Sequence, residues 1–210
     1  MSLSYKKVFE NNRRWVAESK AGDPDFFTKL SEDQQPDYLY IGCSDSRVPA
    51  EIMMGAKPGE VFVHRNVANL VVPSDPNTTG AVYFAVDQLK VKHIVVCGHY
   101  LCGGVLGAME QRQMDPLEPW FSRIREVATT NRRELELLND VDERLRRLVE
   151  FNVEAQCRNL LGLEVVRKSI RLHGTPSVHG WVFDLQSGIL KDLDFQYDRS
   201  AICRAGLAQK

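Results

Sequence analysis

Five residues in two short stretches have side chains that could do chemistry together. The first stretch, I-G-C-S-D-S-R, contains Cys43, Asp45 and Arg47. The second, H-I-V-V-C-G-H-Y-L-C-G-G, contains His99 and Cys102. Two cysteines with one histidine are a known ligand set for catalytic zinc, which keeps its fourth position for water or substrate. Thiolate ligands favour zinc over magnesium or calcium and leave iron and cobalt open. We therefore predict one Zn²⁺ per chain, held by the two cysteines and the histidine.

The carboxylate and the guanidinium in the first stretch suggest more than metal binding. Asp45 lies two residues after a candidate ligand and Arg47 two residues further on, so the two side chains can form a bidentate pair. A surface ion pair of this kind contributes little to stability. Beside three candidate ligands, a functional role is the better interpretation. Asp45 is placed to accept a hydrogen bond from a metal-activated water molecule, or to ligate the metal itself.

The elements that must position these residues are short buried strands. Apolar runs at 38–41, 61–63 and 94–97 are typical of central strands, and a helical pattern at 79–89 lies between the second and the third. Strand, crossover and strand in this order predict parallel pairing with a right-handed connection. Because ligands bind at the carboxyl ends of strands in such sheets, both stretches should meet at one edge.

The rest of the chain predicts an α/β fold with a central, mainly parallel sheet flanked by helices. Residues 179–185 alternate like a strand, and a turn at 186–188 leads into 189–195, which predicts a C-terminal β-hairpin. Helical patterns cover 5–30 (in two pieces, broken at 22–24), 116–162 and 165–172. We expect a single domain over 1–210, made of an N-terminal helical arm at 1–35 and an α/β core at 36–210.

Composition restricts the partner and the compartment. The chain has 210 residues with 27 Lys plus Arg and 28 Asp plus Glu, and no acidic or basic tail, which argues against nucleic acid or a membrane surface as the main partner. No segment approaches the roughly 18 apolar residues of a membrane span. Five cysteines in no disulfide-like spacing, and no apolar leader at the N-terminus, predict a reducing, cytoplasmic location. The expected substrate is small.

Three motifs resemble one family. The sequences C-S-D-S-R at 43–47, R-N-V-A-N at 65–69 and G-H-Y-L-C-G-G at 98–104 resemble the β-class carbonic anhydrases. The resemblance extends over about 26–195 and includes G-A-V-Y-F-A-V at 80–86 and H-G-W at 179–181. It implies a zinc hydro-lyase that reversibly hydrates carbon dioxide to bicarbonate and a proton. It also implies that the three ligands predicted above bind zinc, with Asp45 and Arg47 as the catalytic pair.

The same resemblance implies further roles and an assembly. Gln34 and Gly103 match substrate-binding positions of the family, and Phe62 and Phe84 match residues that line its carbon dioxide pocket, although both phenylalanines could equally be core aromatics. The family builds that pocket at a dimer interface, so a homodimer or homotetramer is expected. In some members the aspartate ligates zinc in a closed state, which makes Asp45 a possible fourth ligand.

Family members that bind a second, non-catalytic bicarbonate use Trp, Arg and Tyr. Here Arg65 is present, but Tyr40 and Phe183 occupy the other two positions, so we do not expect this form of regulation.

Two other functions fit the ligand set. Relatives of this fold hydrolyse carbonyl sulfide or carbon disulfide with the same ligands. A structural or redox-responsive zinc protein would need a fourth ligand, for which Cys97, Cys157 and Cys203 are candidates by type, although packing is the simpler role for each. His64 is close enough in sequence to suggest a proton shuttle, but we expect a structural histidine with a hydrogen-bond partner.

Overall fold

The structure is a computed structural model that describes residues 3–113 and 115–205, with side chains in the last helix described through residue 202. Contacts divide the chain into two compact units, Met1–Gln35 and Pro36–Lys210.

The N-terminal unit contains two helices. Helix α1 spans Tyr5–Gly22, and its first turn is capped by Ser4, whose hydroxyl accepts the Lys7 N–H at 3.3 Å. Helix α2 spans Phe26–Glu32. The indole of Trp15 on α1 packs edge-on against Phe27 on α2, with ring centroids 5.2 Å apart. The predicted break between two helical pieces is therefore confirmed.

A five-stranded sheet forms the centre of the second unit. Its order is β2-β1-β3-β4-β5, the first four strands are parallel, and β5 is antiparallel to β4. The strands are β1 Tyr38–Cys43, β2 Val61–Asn66, β3 His93–His99, β4 Ser177–Phe183 and β5 Leu190–Asp192. Because β1 lies between β2 and β3 in parallel register, the carboxyl ends of all three strands reach the same edge. The predicted fold class is confirmed.

Helices connect and flank the strands. They are α3 Ala50–Met54, α4 Pro76–Tyr83, α5 Gly103–Met109, α6 Glu118–Thr130, α7 Arg132–Glu136, α8 Val141–Gly162, α9 Glu164–His173 and α10 Arg199–Ala205. A 3-10 turn at Val67–Asn69 follows β2, and a π-helical turn at Phe84–Gln88 extends α4. No helix in the described ranges is long and apolar enough to cross a bilayer.

The larger hydrophobic core lies between one face of the sheet and the long helix α8. Strand residues such as Leu39, Ile94 and Val182 contribute to it, and α8 contributes an apolar face that includes Leu148 and Val153. The opposite face carries a smaller buried cluster of Tyr40, Val48, Ala50, Val95, Cys97 and Phe183. Burial on both faces explains why the strands read as continuous apolar runs.

Two elements differ from the sequence-based expectation in extent, and one was not expected. The helix expected at 79–89 begins at Pro76, because Asp75 accepts the N–H groups of Asn77 and Thr78 and caps it. The second hairpin strand, expected over 189–195, pairs only over Leu190–Asp192, and Asp194 takes a left-handed conformation with φ 50°. The C-terminal helix α10 was not predicted.

Candidate metal centre

The three predicted metal ligands lie together at the carboxyl edge of the sheet. Cys43 is the last residue of β1, His99 is the last residue of β3, and Cys102 directly precedes α5. All three side chains are buried, and their ligand atoms lie within 4.8 Å of one another. The two sulfurs are 3.9 Å apart. Parallel neighbours in the sheet bring these distant residues together, as the strand pattern predicts.

This geometry fits a zinc ion. Two thiolates bound to zinc at tetrahedral angles, with Zn–S near 2.3 Å, lie about 3.8 Å apart. His99 Nδ1 lies 3.0 Å from the Tyr100 carbonyl oxygen, which can only accept, so Nδ1 carries the proton and Nε2 has a free lone pair. Nε2 is buried and has no hydrogen-bond partner among the described residues. A metal ion is the partner that this lone pair lacks.

The two sulfurs share one hydrogen bond. That contact lowers the pKa of Cys43 and raises the pKa of Cys102, because two buried sulfurs this close favour one thiolate beside one thiol. The Ala68 N–H also donates to the Cys43 sulfur, at 3.4 Å. Two buried sulfurs this close resist carrying two negative charges unless a cation lies between them. The site is therefore suited to a divalent metal.

Asp45 and Arg47 form the expected bidentate pair beside the ligands. Arg47 Nε donates to Oδ1 at 2.9 Å and Nη2 donates to Oδ2 at 2.7 Å. Arg47 holds the pKa of the Asp45 carboxyl well below its usual range, although partial burial opposes this shift. Asp45 Oδ2 lies 3.7 Å from His99 Nε2. An ionised carboxylate thus faces the position that a metal and its open site would occupy.

Hydrogen bonds from two arginines to backbone carbonyls hold Asp45 and Arg47 in place. Arg47 Nη2 also donates to the carbonyl of Leu101 at 3.3 Å, and Leu101 is left-handed with φ 61°. Arg65 donates to the carbonyls of Cys43 at 2.9 Å and Asp45 at 2.7 Å. The first residue of the R-N-V-A-N motif therefore fixes the backbone of the metal-binding loop.

The remaining predicted site residues occupy three places. Phe62 and Phe84 stack with ring centroids 5.7 Å apart, and Phe84 is 42% exposed. Gly103 is the first residue of α5, directly after the last ligand. Gln34 belongs to the N-terminal unit, is exposed, and its N–H donates to Asp33 Oδ1. The roles assigned to these four residues stay predictions.

The other cysteines do not supply a fourth ligand within the part of the chain that the structure describes. Cys97 is buried in the sheet with its sulfur 3.4 Å from the Gly98 carbonyl, and Cys157 lies 3.5 Å from the His179 carbonyl. Burial raises the pKa of both thiols, to about 12 for Cys97. Cys203 lies outside the described side chains. Among the residues that the structure describes, the metal cluster contains Cys43, His99 and Cys102, which is the three-ligand set of a catalytic site.

His64 is structural, as expected. Its ring is buried, and its Nε2 lies 3.1 Å from the hydroxyl of Thr78.

Some groups at the site were not predicted. The Tyr100 carbonyl and the Ala68 N–H are backbone groups, which carry no side-chain signature. Asn152 and Gln156 are buried amides that interrupt the apolar face of α8 at a spacing of four residues, and this interruption was the available signal.

Residues 38–190 match the carbonic anhydrase family across most of the chain. The chain belongs to the β-carbonic anhydrase family. A carbonic anhydrase of Emericella nidulans is 51% identical over 197 residues, covering 94% of this chain and 86% of the relative. One from Pseudomonas aeruginosa is 34% identical, covering 90% of this chain and 87% of the relative.

Solved structures agree with this assignment. A structure from work on two tetrameric β-carbonic anhydrases of Sordaria macrospora superposes with a TM-score of 0.88 at 39% identity, covering 92% of this chain and 98% of that one. A β-carbonic anhydrase of Aspergillus fumigatus gives a TM-score of 0.91 at 36% identity, covering 98% and 97%. The chain is thus a carbonic anhydrase, a hydro-lyase acting on carbon dioxide, and its Cys-His-Cys triad is typical of zinc sites in the family.

Proposed function

We propose that this chain hydrates carbon dioxide with Asp45 and Arg47 as its catalytic pair, beside a zinc ion held by Cys43, His99 and Cys102. The observation that carries the proposal is the buried His99 Nε2, which has no hydrogen-bond partner in the described part of the chain and lies 3.7 Å from the ionised Asp45 carboxylate. A bound zinc ion supplies a Lewis acid that lowers the pKa of water toward about 7.

Asp45 orients the attacking water. Its carboxylate stays ionised because Arg47 donates two hydrogen bonds to it, so it can only accept. Accepting the O–H of the reacting water fixes that hydrogen and leaves an oxygen lone pair directed at the carbon of carbon dioxide. Arg47 is itself anchored on the Leu101 carbonyl, which limits the movement of the pair.

Carbon dioxide needs an apolar surface, and bicarbonate needs hydrogen-bond donors. The stacked rings of Phe62 and Phe84 offer an apolar surface for linear, uncharged carbon dioxide. Gly103 lies in the first turn of α5, where N–H groups have no partner within the helix and can donate to a bicarbonate oxygen. The family resemblance alone supports Gln34 as a further donor for bicarbonate.

A homodimer or homotetramer is the assembly that we propose. Helix α1 buries none of its 18 residues, and Tyr83 and Phe84 are 53% and 42% exposed in the single chain. Exposed aromatic surface of this kind is typical of an interface. We also propose a cytoplasmic, reducing location, since the ligand cysteines must stay reduced to bind metal.

The substitution Asp45→Asn tests the catalytic pair. The amide keeps the size of the side chain but loses the ionised acceptor, so we expect zinc content to stay at one per chain while the hydration rate falls about 100-fold or more. Stopped-flow hydration and metal analysis measure the two effects. Asp37→Asn, which alters an ion pair with Lys92 outside the site, is the matched control.

Full activity of Asp45→Asn would remove the pair from the mechanism. Faster turnover of carbonyl sulfide than of carbon dioxide by the unmodified protein would contradict the substrate.

A further inference from the structure

We propose that Asn152 and Gln156, two buried amides on α8, are positioning residues for the zinc ligand Cys43. They hold the turn after β2 so that the Ala68 N–H donates to the Cys43 sulfur. The inference rests on the proposed function only in requiring that Cys43 binds the metal.

The turn has a backbone conformation that needs outside support. Ala68 has φ 62° and the next residue, Asn69, has φ 50°, so two consecutive non-glycine residues are left-handed. Such conformations are unfavourable for L-residues and persist only where the surroundings impose them. The methyl side chain of Ala68 forms no hydrogen bond of its own. The support must therefore come from neighbouring groups.

The two amides supply that support from α8. Asn152 Nδ2 donates to the Ala68 carbonyl at 3.0 Å, and Gln156 Oε1 accepts the Val71 N–H at 2.9 Å. Gln156 Nε2 donates to Asn152 Oδ1 at 3.0 Å and links the pair. The residues are 1% and 2% exposed. Burying amides is costly unless they are hydrogen-bonded. Here one bond falls on the left-handed residue Ala68 and the other on Val71, two residues after the left-handed pair.

Other side chains fix the ends of the same turn. Asn66 accepts the Leu70 N–H at 2.7 Å and donates to the Leu70 carbonyl at 2.8 Å. Trp120 Nε1 donates to the Val67 carbonyl at 2.7 Å. Asn152 is the side chain that bonds to the carbonyl of Ala68 itself. Its loss would free the residue whose N–H faces the sulfur.

The consequence for the metal follows from the charge on sulfur. An N–H donor stabilises negative charge on a buried thiolate and orients it, and partners of this kind commonly change metal affinity by about 10–100-fold when removed. If Ala68 relaxed away from its left-handed conformation, the buried Cys43 sulfur would lose this donor. The R-N-V-A-N motif thus serves the metal ligand through its backbone.

The test uses the zinc-loaded protein and its cobalt-substituted form. We expect Asn152→Ala to release zinc to a chelator about 10-fold faster than the unmodified protein and to shift the thiolate-to-cobalt absorption band. Gln156→Ala removes the hydrogen bonds to Val71 and Asn152. It should change the zinc release rate and the cobalt absorption band in the same direction as Asn152→Ala. If Asn152→Ala does not fold, the Gln156→Ala variant alone tests the inference.

The matched control is Asn131→Ala. Its amide donates to Val127 at the end of α6 and does not contact the turn, so stability should fall while zinc release and the cobalt spectrum stay unchanged. Folded Asn152 and Gln156 variants with unmodified release rates and spectra would overturn the inference. A starting protein that binds no zinc would instead contradict the proposed function, so the two failures are distinguishable.

Discussion

At the scale of single residues, the metal site depends on the hydrogen bonds and the charge of its side chains. His99 donates one ring N–H to a backbone carbonyl, and its other ring nitrogen is buried with no hydrogen bond to any residue that the structure describes. Asp45 is kept ionised by Arg47. These two side chains were predicted from sequence because their chemistry is local, within two or three residues of a cysteine. The Ala68 N–H could not be predicted, since its direction depends on amides more than 80 residues away.

His64 provides a prediction on pH dependence. Burial lowers the pKa of His64 below its ordinary value of about 6.5, although nearby Asp75 raises it in part. The unfolded chain therefore binds more protons as the pH falls below about 6.5, and the free energy of unfolding falls with it. In His64→Gln this loss should be smaller, by up to about 1.4 kcal/mol per pH unit.

Urea denaturation between about pH 7.5 and 5.5 measures this dependence. A slope that His64→Gln leaves unchanged would show that this histidine charges freely in the folded state.

At the scale of elements, close packing of β3 against α8 holds the ligand-bearing strand end in place. The short apolar runs at 38–41, 61–63 and 94–97 predicted the central strands correctly, because both faces of a parallel sheet are buried. The limits of β5 and the presence of α10 were not predictable, since neither has a hydrophobic period. The pairing of β4 with β3 depends on contacts across the whole fold rather than on the alternation within β4.

Gly98 tests the contact between β3 and α8. A Cβ at Gly98 would lie 2.7 Å from Val153 Cγ2, so the helix or the strand must shift to accommodate Gly98→Ala. We expect this substitution to lower the free energy of unfolding by about 1–3 kcal/mol. Gly162→Ala, at the end of the same helix with nothing within 4 Å, should instead be neutral or stabilise by about 0.4–1 kcal/mol.

Chemical denaturation of both glycine variants gives the comparison. Equal stability of the two would mean that α8 does not pack against Gly98 as closely as described.

At the scale of the whole molecule, the single chain leaves aromatic side chains exposed, among them Tyr83 and Phe84. Composition argued against nucleic acid and membrane partners, and the family resemblance implied a homo-oligomer. Neither could indicate which surface is shared, because exposed and buried aromatics have the same sequence signature. The structure separates them, with Phe84 at 42% exposed and Phe62 partly covered by it.

Phe84 tests the proposed assembly. A buried charge at an interface is costly, so Phe84→Glu should shift the protein toward smaller species and lower the hydration rate. Light scattering coupled to size-exclusion chromatography measures the mass. Leu137, which is 79% exposed, is the control, and Leu137→Glu should retain the mass of the unmodified protein. An unchanged mass for Phe84→Glu would place the interface elsewhere.

Zinc content together with carbon dioxide hydration tests the account most directly. We predict one zinc per chain in the unmodified protein, and loss of both metal and activity in Cys43→Ala. Cys157→Ala, which alters a buried cysteine outside the ligand cluster, should keep both. An unmodified protein that hydrates carbon dioxide without zinc, or a Cys43→Ala variant that keeps its metal and its rate, would contradict the account.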